Sequence, residues 1–235
     1  MPTTLNVTHT GPRDSVVTVI LIHGVDSDSH VWDSTIDLLS SDIHCVAVDL
    51  PGHGGSAAPD NPAAYKREAV LDDIDDVVDR VRTGEPSRSI VLVGHSLGGY
   101  LGLAHVLTRE GSPTHLDGLV LVSTGPGFRD PSAMKSWNER VEANRHKYQV
   151  SEVAASIAYH VDSMVIDRIT EVTVPVALVV GDGDRAFLGA NDYLEKKLPH
   201  CRRTTVEGGR HFVMKSHPES VADAVRSVAT EVGAG

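Results

Sequence analysis

The chain has 235 residues and a formal net charge of −11 at pH 7, with 40% hydrophobic and 23% charged side chains. That composition can bury a core without disulfides or a structural metal, and it suits one domain over residues 1–235. The acidity, broken by no basic run longer than Lys196-Lys197 or Arg202-Arg203, excludes nucleic acid or an anionic membrane as partner.

Residues 1–15 are polar and no apolar run reaches membrane length, so a cytoplasmic protein is expected. Alternation over 5–10 predicts an antiparallel edge strand. Continuous apolar runs at 16–22, 43–49, 90–93, 119–122 and 174–180, with a weaker one at 203–206, predict strands covered on both faces and therefore a parallel sheet. Cys45 and Cys201 lie in or beside such runs and read as buried thiols, since two cysteines make no disulfide framework. A helix is predicted over 65–81. Its apolar side carries Val70, Leu71, Ile74, Val77, Val78 and Val81, and Asp72, Asp73, Asp75, Asp76 and Asp79 form a solvated face opposite. Further helices are predicted over 97–109 and, opening on Pro218, over 218–230. This alternation is that of an α/β, doubly wound, mostly parallel sheet. Residues 125–172 interrupt it with two helical patterns, 133–148 and 151–160, and no strand, which predicts a short helical lid over the sheet's C-terminal edge.

Gly94-His95-Ser96-Leu97-Gly98-Gly99 joins a strand directly to a helix. A turn this sharp strains its central residue and leaves no room for Cβ atoms on either side, which explains the glycines and puts Ser96 at the top of the sheet. The Leu97 amide, at the helix start, can bind a developing oxyanion, and the loop His23-Gly24-Val25 is placed to add the amide of Val25. A serine nucleophile needs a base and an orienting acid. His211, between the last strand and the last helix, is the best-placed histidine. Gly181-Asp182-Gly183-Asp184 offers two acids. Asp184 is preferred because the glycines allow a tight turn that points it inward, Asp182 then capping the turn; Asp130 is a third candidate.

Five segments, His23-Gly24, Asp49-Leu50-Pro51-Gly52-His53-Gly54-Gly55-Ser56, 94–99, 180–184 and Gly209-Arg210-His211-Phe212, resemble in order those of the α/β-hydrolase superfamily, and the resemblance spans nearly the whole chain. It implies the order Ser96, Asp184, His211 and a two-step reaction through an acyl-enzyme on Ser96, with the 49–56 turn structural. Serine at the elbow argues against the alkyl-enzyme chemistry of relatives that carry aspartate there. A carboxylic ester of a small or medium substrate is the expected target. Thioester, lactone or carbon–carbon bond cleavage is the alternative, and a non-hydrolytic receptor or lyase on the same scaffold is the reading of another class. Arg129, Arg140 and Arg145 in the lid could meet a substrate carboxylate. Phe128, Met134, Trp137, Tyr148 and Tyr159, with Phe187 and Leu188, could line an acyl pocket or pack the lid on the core. No metal-ligand spacing, P-loop lysine or dinucleotide fingerprint occurs, so no metal and no cofactor are expected, and the partner is a small-molecule substrate.

Overall fold

The computed structural model describes residues 3–233. Its strands are β1 (Val7–Thr10), β2 (Val17–Ile22), β3 (His44–Val48), β4 (Ser89–His95), β5 (Gly118–Val122), β6 (Val176–Gly181) and β7 (Cys201–Val206). Its helices are α1 (Asp33–Leu39), α2 (Arg67–Arg82), α3 (Leu97–Thr108), α4 (Pro131–Asn144), α5 (Glu152–Ala155), α6 (Met164–Arg168), α7 (Leu188–Lys197), α8 (Val213–Ser216) and α9 (Pro218–Gly233). No described helix is long and apolar enough to cross a membrane.

The strands form one sheet in the order β1-β3-β2-β4-β5-β6-β7, parallel throughout except for β1, which pairs antiparallel with β3. Side chains leave a strand alternately to its two faces, so a strand buried on both sides feeds two cores. Ile20, Ile22, Ile90, Leu92, Leu119 and Leu121 pack with α2 and α3 on one face. Val19, Leu21, Val91, Val93, Val120 and Val122 pack with α1, α8 and α9 on the other. This division is why these runs read as continuously apolar rather than alternating.

The strand order reverses at β2 and β4. From β2 the chain steps outward to β3, then crosses back to β4 on the other side of β2. The connections after these two neighbours diverge at their C-terminal ends, and the crevice between them is where a doubly wound sheet receives a ligand.

Four local expectations need correction. Asp73 is buried rather than solvated: its carboxylate accepts the Thr3 amide at 2.6 Å, and burial raises its pKa. Asp75 also leaves the solvated face, accepting from His105 at 3.0 Å and Arg109 at 2.6 Å. Cys201 is half-buried at an outer strand, whereas Cys45 is fully enclosed. The predicted 65–81 helix begins at Arg67, because residues Pro62–Tyr65 form a separate helical turn capped by Asn61. The structure also adds α1, α6, α7 and α8, which no sequence pattern had marked. Helix α7 buries only Asn191 and Leu194, too sparse a stripe to read from periodicity.

Between β5 and β6 the chain makes the helical excursion expected over 125–172. Asp130 accepts the Ser132 amide at 3.1 Å and Pro131 occupies the first turn of α4, so this carboxylate is engaged in capping. The second half of the excursion descends into the core, where Val165 and Ile169 are buried with the α3 side of the sheet.

Candidate active site

Ser96 is both the last residue before α3 and a backbone outlier, with φ 51° and ψ −111°, a region that side chains other than glycine rarely enter. The turn is tight enough to forbid side chains beside it. A Cβ on Gly94 would lie 2.4 Å from the Gly98 carbonyl carbon, and one on Gly98 would lie 2.3 Å from the Ile22 carbonyl oxygen at the end of β2. The β2 loop therefore abuts the elbow: a Cβ on Gly24 would come within 3.2 Å of Ser96 Cβ. The loop is itself held by His23, whose buried ring bonds the Gly24 carbonyl through Nδ1 at 2.6 Å and accepts the Leu50 amide on Nε2 at 3.0 Å. Burial lowers the His23 pKa to about 4, which keeps that ring neutral and able to accept. Val25 and Leu97 both border the same cavity as Ser96, and neither amide has a hydrogen-bond acceptor among the described residues.

The loops after β6 and β7 are joined by backbone hydrogen bonds, Asp182 N to Val206 O at 3.0 Å and Gly183 N to Gly209 O at 2.9 Å. This pairing brings Asp184 to His211: its Oδ2 lies 2.9 Å from His211 Nδ1. Asp184 is 5% exposed and His211 33%, so the carboxylate is enclosed while the ring stays partly open to solvent. Asp182 turns to other work, accepting the Gly208 amide at 2.9 Å. With Nδ1 facing the carboxylate, Nε2 is the ring nitrogen left for chemistry. The His211 ring stacks on Phe187 at 4.8 Å, and Phe187 lines the cavity. The Ser96 hydroxyl is not hydrogen-bonded to that ring among the described residues.

The cavity, about 430 Å³, lies between the strand ends and the excursion. The structure brings Phe128, Trp137 and Phe187 to its wall, whereas Met134, Leu188, Tyr148 and Tyr159 are not among the lining residues. For Met134 the reason is helical phase. Ala133, Ser136, Trp137 and Arg140 repeat at the spacing of one helix face and all four line the cavity, and Met134 falls one step around the helix. Leu188 opens α7 just after Phe187, and the next cavity contact on that helix is Ala190. Of the four arginines in residues 125–172, Arg129 pairs with Asp167 at 2.6 Å, Arg145 with Glu142 at 2.9 Å and Glu152 at 3.2 Å, and Arg168 with Glu171 at 2.7 Å; among the described residues Arg140 alone of them lines the cavity.

Two histidines at this site were given no role by the sequence, although His95 stands inside the elbow motif, directly before Ser96. His95, fully buried, donates from Nε2 to the His211 carbonyl at 3.0 Å and packs its ring 4.7 Å from the His211 ring, tying the elbow to the histidine loop. Burial, then the nearby His211, hold its pKa well below the usual value. His160 lines the cavity edge-on to Tyr100 at 4.5 Å, and burial with the charge of Arg67 lowers its pKa to about 4. The one cue to His160 was its place at the end of the 151–160 helical pattern. No group of three His, Cys, Asp or Glu side chains is arranged to hold a metal among the described residues.

Known proteins resemble the chain over nearly its full length. It is 23% identical to a putative 2-succinyl-6-hydroxy-2,4-cyclohexadiene-1-carboxylate synthase of Bacillus subtilis (strain 168), an alignment covering 94% of this chain and 93% of that one. Its fold matches MenH from S. aureus with TM-score 0.82 at 17% identity, over 97% of this chain and 98% of the other. It also matches a thermophilic esterase of Thermogutta terrifontis, solved with malate bound, with TM-score 0.80 at 21% identity, over 97% and 94% of the two chains. Structural likeness at such identities speaks for the fold alone. The sequence profile of the Alpha/beta hydrolase family, however, matches residues 19–162, which hold the β2 loop, the elbow and most of the excursion over the cavity, and by that match the chain belongs to this family.

Proposed function

We propose that the protein hydrolyses a carboxylic ester of a small or medium substrate through an acyl-enzyme on Ser96. The observation that carries this reading is the 2.9 Å contact between His211 Nδ1 and the enclosed Asp184 carboxylate, in a chain whose elbow presents Ser96 to a cavity also lined by Phe187, on which the His211 ring stacks. In this mechanism Asp184 fixes the tautomer that leaves Nε2 free. Nε2 takes the Ser96 proton as Oγ attacks the carbonyl, and the amides of Val25 and Leu97 receive the oxyanion. His211 returns the proton to the departing alcohol. Water, deprotonated by the same nitrogen, then releases the acid and restores Ser96.

A second reading keeps these groups and changes the bond to a thioester, a lactone or a carbon–carbon bond beside a carbonyl. It is favoured by the near full-length relative, whose name is that of a cyclohexadiene-carboxylate synthase rather than an esterase.

The deciding experiment is hydrolysis of 4-nitrophenyl esters from acetate to decanoate by wild type and Ser96→Ala. Turnover that falls at least about 10³-fold in a variant with unchanged circular dichroism supports the ester reading. Comparable turnover in the two proteins overturns the assignment of Ser96. Inactivity of a folded wild type across the whole series overturns ester hydrolysis in favour of the second reading.

A further inference from the structure

The cavity is lined by one permanent charge. Its walls are apolar or neutral, among them Phe128, Trp137, Phe187 and Tyr100, and no aspartate or glutamate borders it. His160 remains neutral because its pKa lies near 4. Arg140 is the exception, in a chain that carries 32 acidic against 21 basic side chains.

The carboxylates close to it in sequence are engaged elsewhere: Glu139 with Lys135 at 3.6 Å, and Glu142 with Arg145 at 2.9 Å and with the Tyr159 hydroxyl. Arg140 itself has no carboxylate within ion-pair distance among the described residues. The other arginines of this segment, Arg129, Arg145 and Arg168, are all paired and do not line the cavity. A guanidinium presents donors in a planar fork that fits a carboxylate at two points, and Arg140, exposed to solvent where it borders the cavity, offers that fork to an entering ligand. Arg140 shares its helix face with Ser136 and Trp137. A ligand meeting Arg140 therefore runs along an indole wall with a hydroxyl beside it.

We infer that Arg140 anchors a carboxylate of the substrate, so that the protein selects esters whose acyl chain ends in an acid over the corresponding fatty-acyl esters. The inference rests on the proposed serine chemistry for its kinetic consequence and on the cavity alone for binding. The carboxylate takes no part in the bond changes. It holds the chain while its far carbonyl meets Ser96.

The test compares kcat/KM for 4-nitrophenyl hydrogen adipate and 4-nitrophenyl hydrogen suberate with that for the hexanoate and octanoate, in wild type, Arg140→Gln and Arg140→Lys. The wild-type ratio of acid-terminated to methyl-terminated ester is expected to exceed one for at least one chain length. It is expected to fall about 10- to 100-fold in Arg140→Gln, through KM, and to recover partly in Arg140→Lys. A wild-type ratio at or below one for both lengths, or a ratio that survives Arg140→Gln, overturns the inference while leaving ester hydrolysis by Ser96 intact. If neither ester is turned over, calorimetric titration with the monoamides of adipate and suberate decides the anchor independently of catalysis. Binding that weakens in Arg140→Gln supports it, and absence of binding to wild type overturns it.

Discussion

Asp184 and Asp182 stand two residues apart on one loop and are set to different tasks by which neighbour each meets, His211 Nδ1 for the first and the Gly208 amide for the second. The expected outcome of Asp184→Asn is a loss of kcat of about 10³- to 10⁴-fold, because an amide no longer enforces the tautomer that frees Nε2. Asp182→Asn is expected to stay within a few-fold of wild type, because the amide oxygen can still accept from Gly208. Stopped-flow acylation rates for the two variants check this, and equal losses would count against the division of labour. Residues whose role needs special backbone were legible in the sequence, since glycine spacing around Ser96 and before Asp184 records the turns. Residues whose role depends only on distant packing were not. Neither His95, although inside the elbow motif, nor His160 showed in sequence the packing partners that β7's loop and α3 bring to them.

Among elements, one of the tightest joints is that between the start of α3 and the end of β2. Gly98→Ala would drive a methyl to 2.3 Å from the Ile22 carbonyl oxygen, and backbone cannot retreat as a flexible side chain can. A destabilisation of about 1–3 kcal/mol is expected from overpacking, accompanied by a shift of the elbow. Urea titration measures the first and reaction with an organophosphonate probe the second; an unaltered midpoint would show that the joint yields. The inner strands β2 to β6 were legible because each is apolar on both faces, whereas the outer strands β1 and β7, with exposed polar positions, left a weaker trace. The helices were legible in proportion to the width of their buried stripe: α2, with seven buried positions, stood out, and α7, with two, did not. The excursion shows the same limit. Two helical patterns were foreseen there, where α4 and α5 lie, and α6 was not; the phase of α4, which admits Trp137 to the cavity and excludes Met134, depends on how Trp137 Nε1 reaches the Ala158 carbonyl at 2.9 Å and how Asn138 and His160 exchange hydrogen bonds at 2.7 and 3.0 Å.

The whole molecule holds several histidines in surroundings that refuse a proton. Burial lowers His23, His44 and His160 to about 4 and puts His95 well below its usual value. In the unfolded chain each binds a proton below about pH 6.5, so the unfolded state binds more protons than the folded one between about 6.5 and about 4. Stability is therefore expected to fall as pH drops through that window, with a slope of up to about 1.4 kcal/mol per pH unit for each such histidine. His30 acts in the opposite direction, since its hydrogen bond to Asp33 raises its pKa, but it is a single exposed site. Urea midpoints at pH 7.5, 6 and 4.5 test the sign, and a midpoint independent of pH would refute it.

One further consequence follows from the helix face that bears Ala133, Ser136, Trp137 and Arg140. The side chains that meet a ligand there belong to a segment outside the sheet, whereas the groups that orient Ser96 belong to strand ends and their loops. Under the proposed function, changes within the short stretch from Ala133 to Arg140 would therefore redraw what the cavity accepts without disturbing Ser96 or the loops that support it.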